Sequence, residues 1–336
     1  MSLCNKDYGV SFARMISMIM IVSCHIFQFF DHELAYWLNS GVQIFLFISG
    51  FLYGQRLEQC DYHFVKRSFK KILVDYYVCI LLSLGLYAIF IPGILPLKEI
   101  AKLFLCYGFG NISSVSHLWF VPIILFCYLI TPMIGAIISE QLDKFNLKNL
   151  IKIVTALCVF YVLLKLFFAY FIAEMVICYC FGLVVGKMKT IYEDKWKNVL
   201  AIFVVPVALI VNGVRVYLNY IVGISLEGET MKILYESFEQ CTHVALGVAL
   251  FLLFYVIYHH GLKKTKRFHT ILDLSDKYSY DIYLGHQMWI LGTFSILKIN
   301  LPLVIRIILV VIVCILEGVA INTIARMCEK KGKRNE

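Results

Sequence analysis

Ten runs of about twenty apolar residues, separated by short segments rich in lysine and arginine, dominate this chain. A bilayer's hydrocarbon core is about 30 Å thick, and a helix needs roughly 20 apolar residues to cross it. The runs lie at about 8–30, 34–54, 72–92, 118–138, 150–170, 171–187, 199–220, 241–260, 278–297 and 302–326. The sixth is short and follows the fifth almost directly. A backbone in lipid must satisfy its own hydrogen bonds, so runs of this length predict helices. No strand pattern, internal repeat or low-complexity tract is visible. The expected fold is all-α: a polytopic membrane protein of about ten transmembrane helices. It is expected to form one domain over 1–336, with no appended soluble domain.

Composition agrees. Of 336 residues, 61% are apolar and 16% charged, where a soluble domain carries roughly 25% charged residues. Mean hydropathy is +0.80. A soluble fold lacks the polar residues to coat that much apolar side chain, which excludes a soluble enzyme, a disordered chain and a secreted disulfide scaffold. Cys24, Cys79, Cys127, Cys158, Cys178, Cys180 and Cys314 lie within apolar runs, where free cysteine acts as a small hydrophobe. There is no CxxC and no Cys/His zinc spacing, so no metal is expected. The first run is too long for a signal-peptide core and carries Arg14 and His25, so no cleaved leader is expected.

The net charge is +9. Its distribution points to membrane topology and away from nucleic acid. With the N-terminus taken as cytoplasmic, only Lys98, Lys102, Arg215, Lys232 and Lys298 fall in outside segments. Arg14, Lys165 and Arg306 fall within spans, and the other 23 of the 31 basic residues face inside. Such a bias predicts cytoplasmic termini and an even number of helices.

Ionisable groups at membrane depth are costly and mark functional hypotheses. Arg14 and His25 are eleven residues apart; at 100° and 1.5 Å per residue they share a helix face about 16 Å apart. A guanidinium fork near the cytoplasm suits phosphate oxygens, and a deeper imidazole suits a general base or a covalent carrier. Spacing alone leaves the plainer reading open, a snorkelling arginine and a histidine bonded to a neighbouring helix. In the second run, Gly50 and Gly54 form a small-xxx-small pair beside Ser49, which packing alone explains. His117 stands at the outer edge of the fourth run with Trp119 and Phe120, where an aromatic belt is the plainer reading. Asp281 and His286 in the ninth run lie on different faces, with Asp281 a candidate for an ion pair and His286 either a second deep imidazole or a packing donor. Arg306 and Glu317 in the tenth share a face and are expected to pair with other helices. Lys165 and Glu174 flank the short hairpin, within reach of water, and Asp75 is expected to pair with Lys71.

Together these residues resemble the integral-membrane acyltransferase-3 family. The resemblance rests on R-x10-H (Arg14 to His25), on Gly41 through the aromatic-rich run to Ser49-Gly50-Phe51, on His117-Leu118-Trp119-Phe120, and on Tyr283-Leu284-Gly285-His286. One departure is the basic loop Lys66-Arg67-Ser68-Phe69-Lys70-Lys71, which lacks the family's paired arginines and proline. Another is that no SGNH-type esterase domain, such as some relatives carry, is expected after the tenth helix.

The resemblance implies an O-acetyltransferase-like enzyme of the plasma membrane. Acetyl-CoA, or another acyl-CoA, would bind from the cytoplasm with its phosphates near Arg14, Arg67, Lys70 and Lys71. The acyl group would pass toward His25, and a hydroxyl of a surface glycan or lipid-linked sugar would accept it. Arg14, His117 and His286 would join His25 in catalysis, with Ser49, His117 and His286 as alternative candidates for the oxyanion donor. Ser49, Gly50, Trp119 and Phe120 would shape the substrate side. Membrane lipid and glycan-assembly enzymes would be its partners. The competing reading is a transporter or flippase of a glycan or lipid-linked precursor, which forms no acyl product.

Overall fold

The computed structural model describes residues 6–93, 96–107, 112–142, 147–167, 172–192, 195–223, 228–262 and 265–335. Lys144, Glu227, Lys263 and Lys264, and the junction of the fifth and sixth runs, lie outside the described residues. Regular secondary structure among the described residues is helical: α1 (Tyr8–Phe29), α2 (Leu34–Leu38), α3 (Gly41–Gly54), α4 (Tyr62–Phe90), α5 (Leu97–Phe104), α6 (Phe120–Leu142), α7 (Leu147–Phe167), α8 (Ile172–Tyr192), α9 (Trp196–Val216), α10 (Glu229–Gly261), α11 (Lys266–Ile290) and α12 (Leu303–Asn335). A 3-10 segment, Ser113–Trp119, leads into α6.

Among the described residues, seven stretches are long and apolar enough to cross a membrane: Tyr8–Phe29, Leu34–Gly54, Tyr62–Phe90, Ser114–Leu142, Trp196–Val222, Glu229–Gly261 and Leu303–Lys330. The other three expected runs fall on α7, α8 and α11. Two boundaries differ from expectation. The run 34–54 is broken by a turn at Asn39–Ser40. The run 278–297 is displaced: α11 starts at Lys266 and ends at Ile290, because the chain turns at Gly292, where a side chain would meet Ser114 Oγ and Met288. Outward faces remain apolar, with Ile202, Phe203, Leu209 and Ile210 on α9 and Val304, Ile308 and Leu316 on α12 all exposed. Apolar surface on that scale suits lipid and not water.

The chain divides into two compact units. The first draws on Met1–Ser17, Asn39–Val65 and Cys127–Lys264. Its centre is the crossing of α3 and α8. A Cβ added at Gly50 or Gly54 would strike the backbone of Tyr179 or Leu183, and one added at Gly182 or Gly186 would strike that of Phe47 or Phe51. Small residues on both helices thus let the two backbones touch. Phe47, Phe51, Phe251 and Trp196 pack around the crossing. Several buried charges in this unit are paired. Asp7 takes Lys189 at 2.5 Å and the Tyr255 hydroxyl at 2.9 Å. Glu174 is buried at 2% exposure against Lys165, 2.6 Å away, and the Tyr161 hydroxyl. The expectation that Glu174 reaches water is therefore corrected: a carboxylate held among helices keeps its charge only by pairing. Cys158 is also corrected, from buried to exposed, because it lies on the outer face of α7.

The second unit draws on Met18–Leu38, Lys66–Phe126 and Thr265–Glu336. Here α11 packs along α12, and Gly318 allows the close approach of the Ile282 backbone. Asp75 is held by both Nη2 contacts of Arg326, at 2.9 and 2.8 Å, in place of the expected Lys71. One nitrogen, Nη2, thus serves both oxygens of Asp75 while Nη1 donates to Glu329 at 2.7 Å, so a single guanidinium engages two carboxylates. Asp281 forms no ion pair within the described residues; it is buried and accepts Asn322 Nδ2 at 2.8 Å. Arg306 donates to Leu297 O, while Glu317 accepts from Trp289 Nε1 across the α11–α12 seam, both at 2.5 Å.

Candidate active site

Three imidazoles meet inside the second unit. His25 comes from α1, His117 from the 3-10 segment and His286 from α11. Ring centres are 5.0 Å apart for His25 and His286, 4.8 Å for His117 and His286, and 6.3 Å for His25 and His117. His117 and His286 are 4% and 0% exposed.

Local structure explains the convergence. The 3-10 segment is stapled to α11 from both sides. Tyr283 Oη donates to His117 O at 2.5 Å, and His117 Nε2 donates to Tyr283 O at 2.9 Å and Leu284 O at 3.1 Å. Gln287 Nε2 donates to Ser116 Oγ at 2.5 Å. One turn further on, Ser114 Oγ accepts Thr293 N at 3.1 Å and shares a 2.6 Å hydrogen bond with Tyr87. Phe120 packs its ring on Tyr283, 5.2 Å between centres. Below the site Cys79 Sγ donates to Leu284 O at 3.3 Å. Glu317 lies against Gly285, where an added Cβ would displace the Glu317 carboxylate.

These bonds fix which ring nitrogens are available. A carbonyl oxygen only accepts, so the nitrogen facing it must carry the proton. His117 therefore holds its proton on Nε2. His286 holds its proton on Nδ1, which donates to Tyr283 O at 2.6 Å. The opposite nitrogens, His117 Nδ1 and His286 Nε2, are buried lone pairs with no hydrogen-bond partner. His25 is arranged alike: its Nδ1 meets Gln28 Oε1 at 2.6 Å, leaving Nε2 as the acceptor. A neutral ring in this state takes a proton; it serves an oxyanion only after it has one. A buried acceptor left unpaired is costly, and a proton-bearing substrate group would satisfy it. Among the described residues no group of three or more His, Cys, Asp or Glu side chains is arranged to hold a metal ion.

The other residues singled out by sequence stand elsewhere. Arg14 lies on α1 in the segment of the first unit, half-buried. Ser49 and Gly50 belong to the first unit, Gly50 at the α3–α8 crossing. Arg67, Lys70 and Lys71 belong to the second unit and are exposed on the first turns of α4. Trp119 ends the 3-10 segment, half-buried. Sequence reasoning missed Gln28, although its i,i+3 spacing from His25 on a helix was a readable signal. It also missed the Glu317–Trp289 contact, which has no such signal, since the partners sit on different helices.

Residues 7–321 match the acyltransferase-3 family model, described as an acyltransferase domain. No curated protein and no solved structure matches the chain.

Proposed function

This chain belongs to the acyltransferase-3 family of integral-membrane acyltransferases, and from that premise we propose that it moves an acetyl group from acetyl-CoA to a hydroxyl of a surface glycan or lipid-linked sugar. The observation that carries the reading is the pair of buried, unpartnered imidazole lone pairs on His117 and His286, whose ring centres lie 6.3 and 5.0 Å from that of His25. A hydroxyl is a poor nucleophile until its proton is taken. An imidazole lone pair removes that proton as the oxygen attacks the thioester carbon. The C–S bond breaks, and the same proton passes to the departing sulfur. The remaining rings stabilise the cation that forms between these two events. Hydrogen bonds to Tyr283 O and Gln28 keep each ring in one tautomer, so its lone pair is aimed before substrate arrives.

In this reading the donor's phosphates lie toward the cytoplasm, served by the exposed Arg67, Lys70 and Lys71. Both termini are cytoplasmic in this reading, as the basic bias supports, and the membrane is the plasma membrane, as the family resemblance implies. The test uses inverted membrane vesicles given labelled acetyl-CoA, with label followed into glycan. His25→Ala is expected to lower transfer by about 10²–10⁴-fold, the usual worth of a positioned general base, while the protein elutes from detergent unchanged. Full transfer by that variant overturns the proposal. Transfer only from a longer acyl-CoA keeps the reaction and corrects the donor.

A further inference from the structure

Away from the histidines, a cavity of about 520 Å³ opens in the second unit between α11 and the C-terminal half of α12. Lys277, Arg326 and Lys330 line it, with one carboxylate, Glu329. Glu329 is already engaged by Arg326 Nη1 at 2.7 Å. Arg326 is itself braced through Nη2 against the buried Asp75. The floor is Asn322, held by the buried Asp281. Lys277 and Lys330 are exposed at the rim. Arg326 is thus engaged by carboxylates on both sides, and the positive charge that a ligand meets is that of the two rim lysines, Lys277 with its Nζ on Tyr278 Oη at 2.8 Å.

The position of the opening selects the ligand. Met327 lines the cavity and is 56% exposed, and along the same helix Leu316, Ile312 and Ile308 are exposed as well. A basic cavity thus meets an apolar, lipid-facing stripe at the helix end that the charge bias assigns to the cytoplasm. Basic pockets between membrane helices on that side suit anionic headgroups.

We propose that this cavity is a binding site for a phosphate group, and that its occupant is the headgroup of an anionic phospholipid with its acyl chains lying along α12. Lys277 and Lys330 hold the phosphate oxygens, and Asn322 and the braced Arg326 set the depth. The site does not depend on the acyl-transfer reading.

The experiment titrates purified full-length protein in detergent with a short-chain phosphatidylglycerol and follows intrinsic tryptophan fluorescence. Short-chain phosphatidylcholine, inorganic phosphate and free CoA are titrated in parallel. Saturable binding of phosphatidylglycerol is expected, weakened about thirtyfold in Lys277→Gln/Lys330→Gln, since each surface lysine contributes roughly a factor of five. Lys266→Gln/Arg267→Gln removes the same charge from exposed positions of α11 outside the cavity and is expected to bind normally. Equal binding of the zwitterionic lipid, or equal weakening in both double variants, overturns the site. CoA binding that displaces phosphatidylglycerol and needs Lys277 and Lys330 overturns the lipid assignment and gives the site to the acyl donor.

Discussion

A histidine on a helix offers one nitrogen or the other according to what its backbone presents. At His286 the carbonyl three residues back takes Nδ1 and leaves Nε2 for chemistry. His286→Asn separates the two roles. The asparagine amide replaces the Nδ1 donor toward Tyr283 O but has no basic lone pair where Nε2 was. Acetyl transfer is expected to fall about 10²-fold or more, with thermal stability within about 1 kcal/mol because the buried carbonyl keeps its donor. Wild-type transfer in that variant assigns the base to another ring. Tyr283 acts one step removed, holding the 3-10 segment through its hydroxyl to His117 O. Tyr283→Phe deletes one hydrogen bond worth about 1 kcal/mol and keeps the ring packing. A three- to tenfold fall in kcat, with KM for acetyl-CoA within twofold, is the expected result. A change in KM alone would make Tyr283 a binding residue.

Elements bring these residues together, and here the sequence was legible unevenly. That Arg14 and His25 share a helix follows from a count of residues, and α1 runs through both. That His117 and His286 approach to 4.8 Å does not. Their meeting depends on the stapling of a 3-10 segment to α11, and such side-chain bonds leave no periodic trace. Gly50 and Gly54 were readable as a packing pair, yet their partners Gly182 and Gly186 are identified only by the crossing itself. Gly182→Val would put two methyl groups into the Phe47 and Phe51 backbone. Overpacking of this kind costs about 1–3 kcal/mol and more when backbone must move, so the variant is expected to melt several degrees lower in detergent; an unchanged melting temperature would show that α3 and α8 separate freely. Asp7 secures the start of α1 to α8 and α10. Burial pushes its carboxyl up, but Lys189, the Tyr255 hydroxyl and His259 outweigh that and hold it below its ordinary value of 3.8. A depressed carboxylate stabilises the fold above its unfolded pKa and loses that contribution as pH falls through the folded one. Wild type and Asp7→Asn should therefore differ in stability at neutral pH, with the difference shrinking as pH falls below about 4 toward the depressed folded pKa. A constant difference down to pH 3 would show that Asp7 acts through packing and not charge.

For the molecule as a whole, the composition and the ten apolar runs settled the class, because lipid admits few folds and helices must close their own hydrogen bonds. The C-terminal end of α11 falls short of the apolar run because the chain turns at Gly292, and its start at Lys266 lies in a polar stretch that hydropathy does not mark as part of a span. Orientation rests on charge alone, and it decides whether acetyl-CoA can reach the site from the cell interior. With Cys158, Cys241 and Cys328, the exposed cysteines among the described residues, and Cys4 changed to serine, single cysteines can be placed by Lys98→Cys, Lys232→Cys and Lys70→Cys. The first two stand in segments that the bias puts outside, the third on the exposed basic turn of α4 that it puts inside. A membrane-impermeant maleimide on intact cells is expected to label the Lys98→Cys and Lys232→Cys proteins and to reach the Lys70→Cys protein only after lysis. The reverse pattern would turn Arg67, Lys70 and Lys71 away from the cytoplasmic acyl-CoA pool, leaving the imidazole cluster without the donor proposed for it.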